Sequence, residues 1–106
     1  MNDVQVFAKR FWGFDPANWP IISFHLDGNR QALLRAARPG DLIVFIGNNT
    51  DETEANERGR LLGLAEIGRT EIEATHVLKL STLEPSAFDD SGRLRWPKAL
   101  PMLRAW

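Results

Sequence analysis

The feature that most limits how this chain can fold is a series of short apolar runs, each only a few residues long and separated by turn-forming residues. In residues 4–9, Val4, Val6 and Ala8 occupy alternate positions. Five further runs are rich in β-branched or aromatic residues: Ile21 to Phe24, Leu42 to Ile46, Leu61 to Ile67, Thr75 to Leu80, and Met102 to Trp106. Alternation and short buried runs are typical of β-strands. The sequence therefore predicts about six short strands.

The segments between these runs carry turn chemistry, and one of them carries a helix. Turn residues are concentrated in FDPANWP, HLDGN, ARPGD, GNNTDETEANERG, EPSAFDDSG and WPKALP. Residues 29–38 read as a helix, with Asn29 as an acceptable N-cap and Pro39-Gly40 as the stop. The prediction is a mainly β fold with minor α structure: a small antiparallel sheet or barrel of five or six strands with one or two short helices.

Composition limits the classes of protein that this chain can belong to. Its 106 residues, 43% hydrophobic and 25% charged, suit a single globular domain spanning residues 1–106. The absence of cysteine excludes disulfides and thiolate metal sites, and suits a reducing cytoplasm. No apolar run approaches the roughly 18 residues of a membrane span, and residues 1–12 lack a signal-peptide core. We therefore expect a cytoplasmic protein with no membrane partner.

The formal net charge of −1 means that any affinity for nucleic acid must come from a local basic patch. On the predicted helix the small apolar residues share one side, while Arg30, Arg35 and Arg38 spread over the other. These arginines are predicted to face solvent or a ligand. The alternative is that they pair with the acidic loop at residues 47–59 or lie over the core.

Four motifs occur in a characteristic order along most of the chain. They are the aromatic pair Phe11-Trp12, the segment GNRQALLRAARPGDLIVF, the strand LLGLAEIG and the late segment RWPKALPMLRAW. In this order they resemble the EVE domains of the PUA-like superfamily, over about residues 4–106. Departures include FW in place of the more usual YW and a late segment unusually rich in Trp and Arg.

The resemblance implies a PUA-like fold and a domain that reads modified bases. Similar bacterial domains are the reader halves of modification-dependent restriction endonucleases that carry a separate HNH-type nuclease domain. On that basis the chain is expected to be an N-terminal module of a longer protein. Its expected partner is double-stranded DNA carrying 5-methyl- or 5-hydroxymethylcytosine, recognised by base flipping; RNA, which other members of the superfamily bind, is the alternative partner.

The aromatic content independently suggests a pocket for a flat ligand. Trp12, Trp19 and Trp96 lie in turn segments beside proline or glycine. A flipped base needs flat apolar walls, for which Trp is well suited. These three tryptophans and Phe14 are therefore the predicted walls of a base pocket, with burial in the core as the alternative for each.

Polar groups that could read a base edge are expected near those walls. Ser23 and His25 are two residues apart on a predicted strand, so they should point to the same face. Asn29 follows closely and could donate its amide to a base, although helix capping is the competing role. His76 is interpreted as structural.

Phosphate contacts are assigned to the basic residues on both sides of the predicted pocket. Such contacts supply affinity that does not depend on sequence. The candidates are Lys9, Arg10, Arg30, Arg35, Arg38, Arg95 and Arg104, with Arg93 and Lys98 close to Trp96.

The sequence contains no convincing catalytic site. Ser23, His25 and Asp27 have the residue types of a triad, but alternate strand residues lie about 7 Å apart with parallel side chains. The two histidines, His25 and His76, are far apart in sequence and no Walker loop is present. We therefore expect a binding domain without enzyme activity, metal or cofactor. A module that binds a small metabolite or a peptide is the second alternative.

Overall fold

The structure is a computed structural model that describes residues 3–50, 53–79, 83 and 85–106. It has a mainly β fold, as predicted, with a sheet curled into a half-barrel. In chain order the elements within the described ranges are β1 (Val6–Phe11), β2 (Ile21–Phe24), α1 (Asp27–Ala36), β3 (Leu42–Gly47), β4 (Leu61–Ile67), β5 (Ile72–Glu73) and β6 (Lys98–Ala105). Short 3-10 turns cover Ala55–Glu57, Ala74–His76 and Pro85–Ala87. None of the helices in these ranges is both long enough and apolar enough to cross a bilayer.

The strands pair in the order β1-β3-β4-β6-β2, and β5 also pairs with β6. All pairs are antiparallel except β1 with β3, which is parallel. The sheet is therefore mainly antiparallel, as predicted, with one parallel pair. Parallel neighbours need a long crossover connection, and β2 with α1 provides it between β1 and β3.

The first strands of the sheet have an inner and an outer face, because residues alternate in burial along them. In β1, Phe7, Lys9 and Phe11 are half-buried on the inner face, whereas Val6, Ala8 and Arg10 are exposed on the outer face. The register continues both faces into β3, where the buried Ile43 and Phe45 lie beside Phe7 and Lys9. Phe7 and Phe11 therefore pack against the main core from the inner face.

The buried apolar residues form two cores, one on each face of the paired strands β2 and β6. The main core consists of Ile22, Phe24, Ala37, Ile43, Phe45, Ala65, Ile67 and Leu100. The second core consists of Ile21, Ala74, Leu78, Ala87, Leu94 and Ala99. Because neighbouring residues of a strand point to opposite faces, Ile21 and Ile22 enter different cores. All four residues of β2 are buried for this reason.

Strand β6 begins earlier than the sequence predicts and changes partner along its length. Residues 98–101 pair with β2, and Met102, Arg104 and Ala105 pair with β4. Pro101 lies at the change, next to a register shift in β4 between Glu66 and Ile67. Proline cannot donate to a ladder and is tolerated at such irregularities. The segment WPKALP, interpreted as a turn, therefore supplies the first half of a strand.

Helix α1 is displaced by two residues from its predicted span. Its N-cap is Leu26, which makes no side-chain capping hydrogen bond, so the prediction that Asn29 is the N-cap is wrong. Asp27 is the acidic residue in the first turn of the helix. The helix ends at Ala36 because the chain turns towards Asp41, whose carboxylate accepts a hydrogen bond from the backbone N–H of Arg38 (2.7 Å).

The predicted strand from Thr75 to Leu80 is also wrong over residues 75–79. Ala74–His76 is a 3-10 turn, and the backbone N–H groups of Val77 and Leu78 both donate to the carbonyl of Ala74. The strand at this place is the shorter β5, immediately before the turn. Leu80, and Asp51 and Glu52 of the acidic loop, lie outside the described residues.

Candidate functional site

An open cavity of about 930 Å³ lies where the two cores meet. Its walls include the tryptophans and the phenylalanine that the sequence analysis assigned to a base pocket: Trp12, Trp19, Trp96 and Phe14. Phe11 and Phe45 complete the aromatic lining. We call this the tryptophan cavity. The predicted walls are thus brought together by elements that are far apart in sequence.

Trp96 is the centre of the aromatic lining. Its ring centroid lies 4.6 Å from that of Trp12, 4.8 Å from that of Phe11 and 6.0 Å from that of Trp19. The Trp12 and Trp96 planes are perpendicular (90°), and those of Trp19 and Trp96 nearly so (82°). Edge-to-face contacts of this kind stabilise aromatic clusters. The rings form corners rather than a flat stack.

Local hydrogen bonds hold two of these tryptophans in place. The carbonyl of Asp15 accepts hydrogen bonds from the backbone N–H of Asn18 (3.2 Å) and of Trp19 (2.7 Å), which closes the turn after β1. The Trp19 indole N–H then donates to the hydroxyl of Ser23 (3.1 Å). At the other wall, the backbone N–H of Arg95 donates to the carbonyl of Ala87 (2.9 Å), directly before Trp96.

Polar groups missed by the sequence analysis also line the tryptophan cavity. The Asn18 amide donates to the carboxylate of Asp15 (2.8 Å), and both residues belong to the lining together with Ser86 and Lys79. The segment FDPANW between two tryptophans was the available signal for Asp15 and Asn18. Nothing in the sequence pattern indicates Ser86 or Lys79. The cavity therefore offers a carboxylate, an amide, a hydroxyl and a cation beside its aromatic walls.

Two indole N–H groups add donors to this set. Among the described residues, neither Trp12 nor Trp96 has a hydrogen-bond acceptor for its indole nitrogen. Tryptophan N–H groups usually find a partner when they are buried. Both side chains are half-buried, so a ligand in the cavity can accept from them.

The predicted polar readers of the base do not join this cavity. Ser23 is buried (1% exposed) with its hydroxyl occupied by Trp19, so it acts as an anchor for that ring. His25 lies beyond the end of β2, exposed, with Nδ1 2.8 Å from the carbonyl oxygen of Arg95. The two residues do not share a face, because β2 ends at Phe24. Asn29 is exposed on α1 and lines a different cavity.

Arg30 is the clearest correction to the predicted phosphate-binding set. It is 6% exposed instead of facing solvent. Its guanidinium pairs with Asp27 (2.7 Å) and Glu71 (3.3 Å), and also donates to the carbonyl of Ile72 (2.9 Å) and that of Ala99 (3.3 Å). Hydrogen bonds from Gln31 and Arg30 lower the pKa of Asp27. Arg30 therefore fastens α1 to β5 and β6 and has no capacity left for a phosphate.

The remaining predicted phosphate contacts are spread over several surfaces. Only Arg95 adjoins the tryptophan cavity: its guanidinium lies 5.7 Å from the Trp12 ring centroid, and its Nε donates to the carbonyl of Phe88 (3.2 Å). Arg10 and Arg104 lie on the outer sheet face, where Arg104 pairs with Glu66 (3.2 Å). The others are elsewhere: Arg35 and Arg38 are exposed at the end of α1, Arg93 is exposed, and Lys98 pairs with Glu73 (2.8 Å).

Lys9 lies in a second cavity, of about 380 Å³, which we call the lysine cavity. It is lined by Phe7, Ala8, Lys9, Phe24, Asn29, Ala32, Leu33, Ala36 and Ile43. The Lys9 ammonium lies 4.8 Å from the centroid of the Phe24 ring. Burial lowers the pKa of Lys9 below its usual value. The cavity is walled by β1, β2, β3 and α1.

Two arrangements that the sequence analysis considered, a metal cluster and a Ser23–His25 pair, can be compared with the structure. Among them, no group of three His, Cys, Asp or Glu residues could hold a metal ion. The hydroxyl of Ser23 is held by Trp19, and the ring of His25 contacts the Arg95 carbonyl, so the Ser23–His25 pair is not a nucleophile with its base.

Comparison of this chain with models of known protein families, with curated proteins and with solved structures found no match.

Proposed function

We propose that this chain is a nucleic-acid reader domain that receives a flipped, modified base of double-stranded DNA in the tryptophan cavity. The modified base is 5-methyl- or 5-hydroxymethylcytosine. The observation that supports this most is the position of Trp12, Trp19 and Trp96 around one open cavity with their rings at nearly right angles. The resemblance of the motif order to EVE domains points in the same direction.

The corner formed by Trp12 and Trp96 suits a methylated base. A base that stacks on one ring places its exocyclic methyl group against the perpendicular ring, so both apolar surfaces leave water together. Extrusion from the duplex costs a few kcal/mol. Stacking on an aromatic side chain returns about 1–3 kcal/mol per base, and the additional methyl contact favours the modified base over the unmodified one.

Asp15 and Asn18 provide groups for the hydrogen-bonding edge of cytosine. A carboxylate can accept from the N4 amino group of cytosine. The Asn18 amide, now hydrogen-bonded to Asp15 (2.8 Å), can donate to the ring nitrogen or the carbonyl oxygen. This set replaces Ser23, His25 and Asn29 as the readers of the base edge.

Backbone affinity is assigned to the exposed cations nearest the cavity. Arg95, beside Trp12, is the phosphate contact of this proposal, whereas Arg10 lies on the outer face of β1 and is not part of the binding surface. Arg35, Arg38 and Arg104 contribute to general attraction only. The remaining parts of the proposal follow the resemblance: a cytoplasmic specificity module of a modification-dependent endonuclease, whose nuclease activity resides in a separate HNH-type domain.

The proposal is tested by equilibrium binding to matched duplexes that contain one cytosine, 5-methylcytosine or 5-hydroxymethylcytosine at the same position. We expect tighter binding to one of the modified duplexes and steep weakening with salt, because phosphate contacts release counterions. Equal affinity across the panel contradicts the proposal. Preference for single-stranded RNA indicates the RNA-binding alternative, and salt-independent binding of a metabolite indicates the small-molecule alternative.

Two variants provide the matched comparison in this experiment. Trp12→Ala removes one wall of the corner, whereas Trp106→Ala removes a tryptophan that is 60% exposed and does not line the cavity. We expect Trp12→Ala to abolish most of the preference for the modified base, a loss of about 1–3 kcal/mol. Trp106→Ala should keep that preference.

A further inference from the structure

The lysine cavity contains one positively charged side chain in a mainly apolar lining. Lys9 lies on the inner face of β1 among Phe7, Phe24 and Ile43, and burial lowers its pKa. The lining also includes Leu33 and two alanines of α1. A buried ammonium group loses hydration, and proteins usually offset that loss with a carboxylate or several hydrogen bonds.

No described carboxylate supplies such a partner for Lys9. The carboxylates in the ion pairs of the described residues pair with cations other than Lys9. The Lys9 ammonium contacts the face of the Phe24 ring, 4.8 Å from the ring centroid. A cation–π contact is worth about 0.5–2 kcal/mol and leaves the ammonium hydrogens available to water or to a ligand. The Lys9 ammonium can therefore bind one anionic group in the cavity.

Asn29 gives the cavity a second polar side chain. It lies in the first turns of α1, is exposed, and lines the same cavity as Lys9. Its carboxamide can donate hydrogen bonds to an oxygen acceptor. The other lining residues are apolar, and the volume of about 380 Å³ lies at the lower end of the range for small-molecule sites.

We propose that the lysine cavity binds a small organic acid, with its carboxylate on Lys9 and Asn29 and its apolar body between Phe7, Phe24 and Leu33. A phosphate group fits less well, because phosphate oxygens require more donors than one ammonium and one amide, and apolar walls give it none. This site is independent of the proposed reading of DNA bases in the tryptophan cavity.

The test uses 4-phenylbutyrate as the probe and 4-phenylbutan-1-ol as its uncharged counterpart. Backbone amide spectra of the whole chain are recorded during titration with each compound. We expect saturable shifts at Ala8, Ala32 and Ala36, with the alcohol binding about tenfold more weakly than the acid because it lacks the charge.

Two neighbouring residues of β1 provide the matched variants. Lys9→Met keeps most of the side-chain volume and removes the charge, and should weaken binding of the acid by about tenfold while leaving the alcohol unchanged. Arg10→Met removes a positive charge from the opposite face of the same strand and should leave binding of both compounds within about twofold.

Several outcomes overturn the proposal. These are equal binding of the acid and the alcohol, full retention of acid binding in Lys9→Met, or shifts confined to the tryptophan cavity. Stronger perturbation of the same amides by inorganic phosphate than by 4-phenylbutyrate would show a phosphate site instead, and stronger perturbation by unmodified duplex DNA would show that the cavity holds a nucleic-acid backbone.

Discussion

The two cavities of this protein both take lining residues from β1, β2 and β3 but are constructed differently. Along the inner face of β1, Lys9 enters the lysine cavity, and Phe11, about 7 Å further on, lines the tryptophan cavity. The lysine cavity is walled by regular elements, β1, β2, β3 and α1. The tryptophan cavity takes most of its lining from the connecting segments at 12–20 and 77–96. Its aromatic rings also join the two cores.

The side chains that line the two cavities also differ in how much they stabilise the fold. Phe11 packs against the main core, while Trp19 and Trp96 pack against the second core, so the rings that would bind a ligand also hold the fold together. The ammonium of Lys9 contacts the ring of Phe24, and its partial burial disfavours the charged form. Substitutions in the lining of the tryptophan cavity should therefore lower the free energy of unfolding substantially. Substitutions in the lysine cavity should change it little.

The largest effect on stability is expected for Trp96→Ala. This change removes three ring contacts at the junction of the cores and should lower the free energy of unfolding by about 2–3 kcal/mol. Chemical denaturation of the parent and the variant measures the loss, with Trp106→Ala as an exposed control that should change little. A Trp96→Ala variant as stable as the parent would show that the rings do not join the cores.

The second effect concerns the helix that lines the lysine cavity. Arg30→Met replaces the buried guanidinium that connects α1 to β5 and β6, and leaves the Ile72 and Ala99 carbonyls without that donor. We expect a loss of about 2 kcal/mol, below the usual value for a broken buried pair because Asp27 and Glu71 are half-exposed and regain water.

The matched control is Arg35→Met on the same helix. Arg35 is exposed, so its replacement should change the free energy of unfolding by less than about 0.5 kcal/mol. Equal losses in the two variants would contradict the structural role assigned to Arg30. For DNA binding the expected order is reversed, because only the exposed arginine can meet a phosphate.

A smaller effect, of the opposite sign, is expected for Lys9→Met. Removing a desolvated charge from an apolar cavity should leave stability unchanged or raise it, by up to about 1 kcal/mol, even though the contact with Phe24 is lost. Thermal and denaturant unfolding measure this directly. A clear destabilisation would mean that Lys9 supports the fold as the aromatic rings do, and would remove the contrast between the cavities.

The smallest effect is pH-dependent and tests the connection between α1 and β1. Hydrogen bonds from the backbone N–H groups of Arg38 and Gln5 to the carboxylate of Asp41 lower its pKa. A carboxyl with a lowered folded-state pKa stabilises the fold above its unfolded pKa, and that contribution is lost as the pH falls through the folded-state pKa. Asp41→Asn should therefore be less stable than the parent at neutral pH, and the difference should narrow as the solution is acidified. A constant difference across the pH range would contradict this assignment.

Regular elements were the part of this fold that the sequence could predict. The apolar runs at 21–24 and 61–67 coincide with β2 and β4, and most of β3 follows the run at 42–46, because burial of one or both faces determines those patterns. The run at 75–79 was misleading because only Leu78 packs in the second core, whereas Thr75 and Val77 are exposed. Strand β6 was underestimated because prolines marked its first half as a turn.

The site was predictable only in its aromatic part. Trp12, Trp19 and Trp96 share a cavity, as their setting in turn segments suggested. The roles of Ser23 and Arg30 depend on partners distant in the fold or not implied by sequence pattern: the hydroxyl meets the Trp19 indole, and the guanidinium meets Glu71 and two carbonyls from β5 and β6. A single sequence does not specify such pairings, and both residues were therefore assigned to a ligand instead of to the fold.

The most direct test of the central claim is to locate a base at the tryptophan cavity by photo-crosslinking. A duplex carrying 5-iodocytosine at the target position places a photoreactive atom where the methyl group would lie. After irradiation and digestion, mass spectrometry should find the crosslink on Trp12 or Trp96, within peptides 11–30 or 96–98. Trp12→Ala should abolish or redirect it to Trp96. A crosslink on α1 or on the outer face of the sheet, or a bound duplex that gives none at these tryptophans, would contradict the assignment of this cavity to a flipped base.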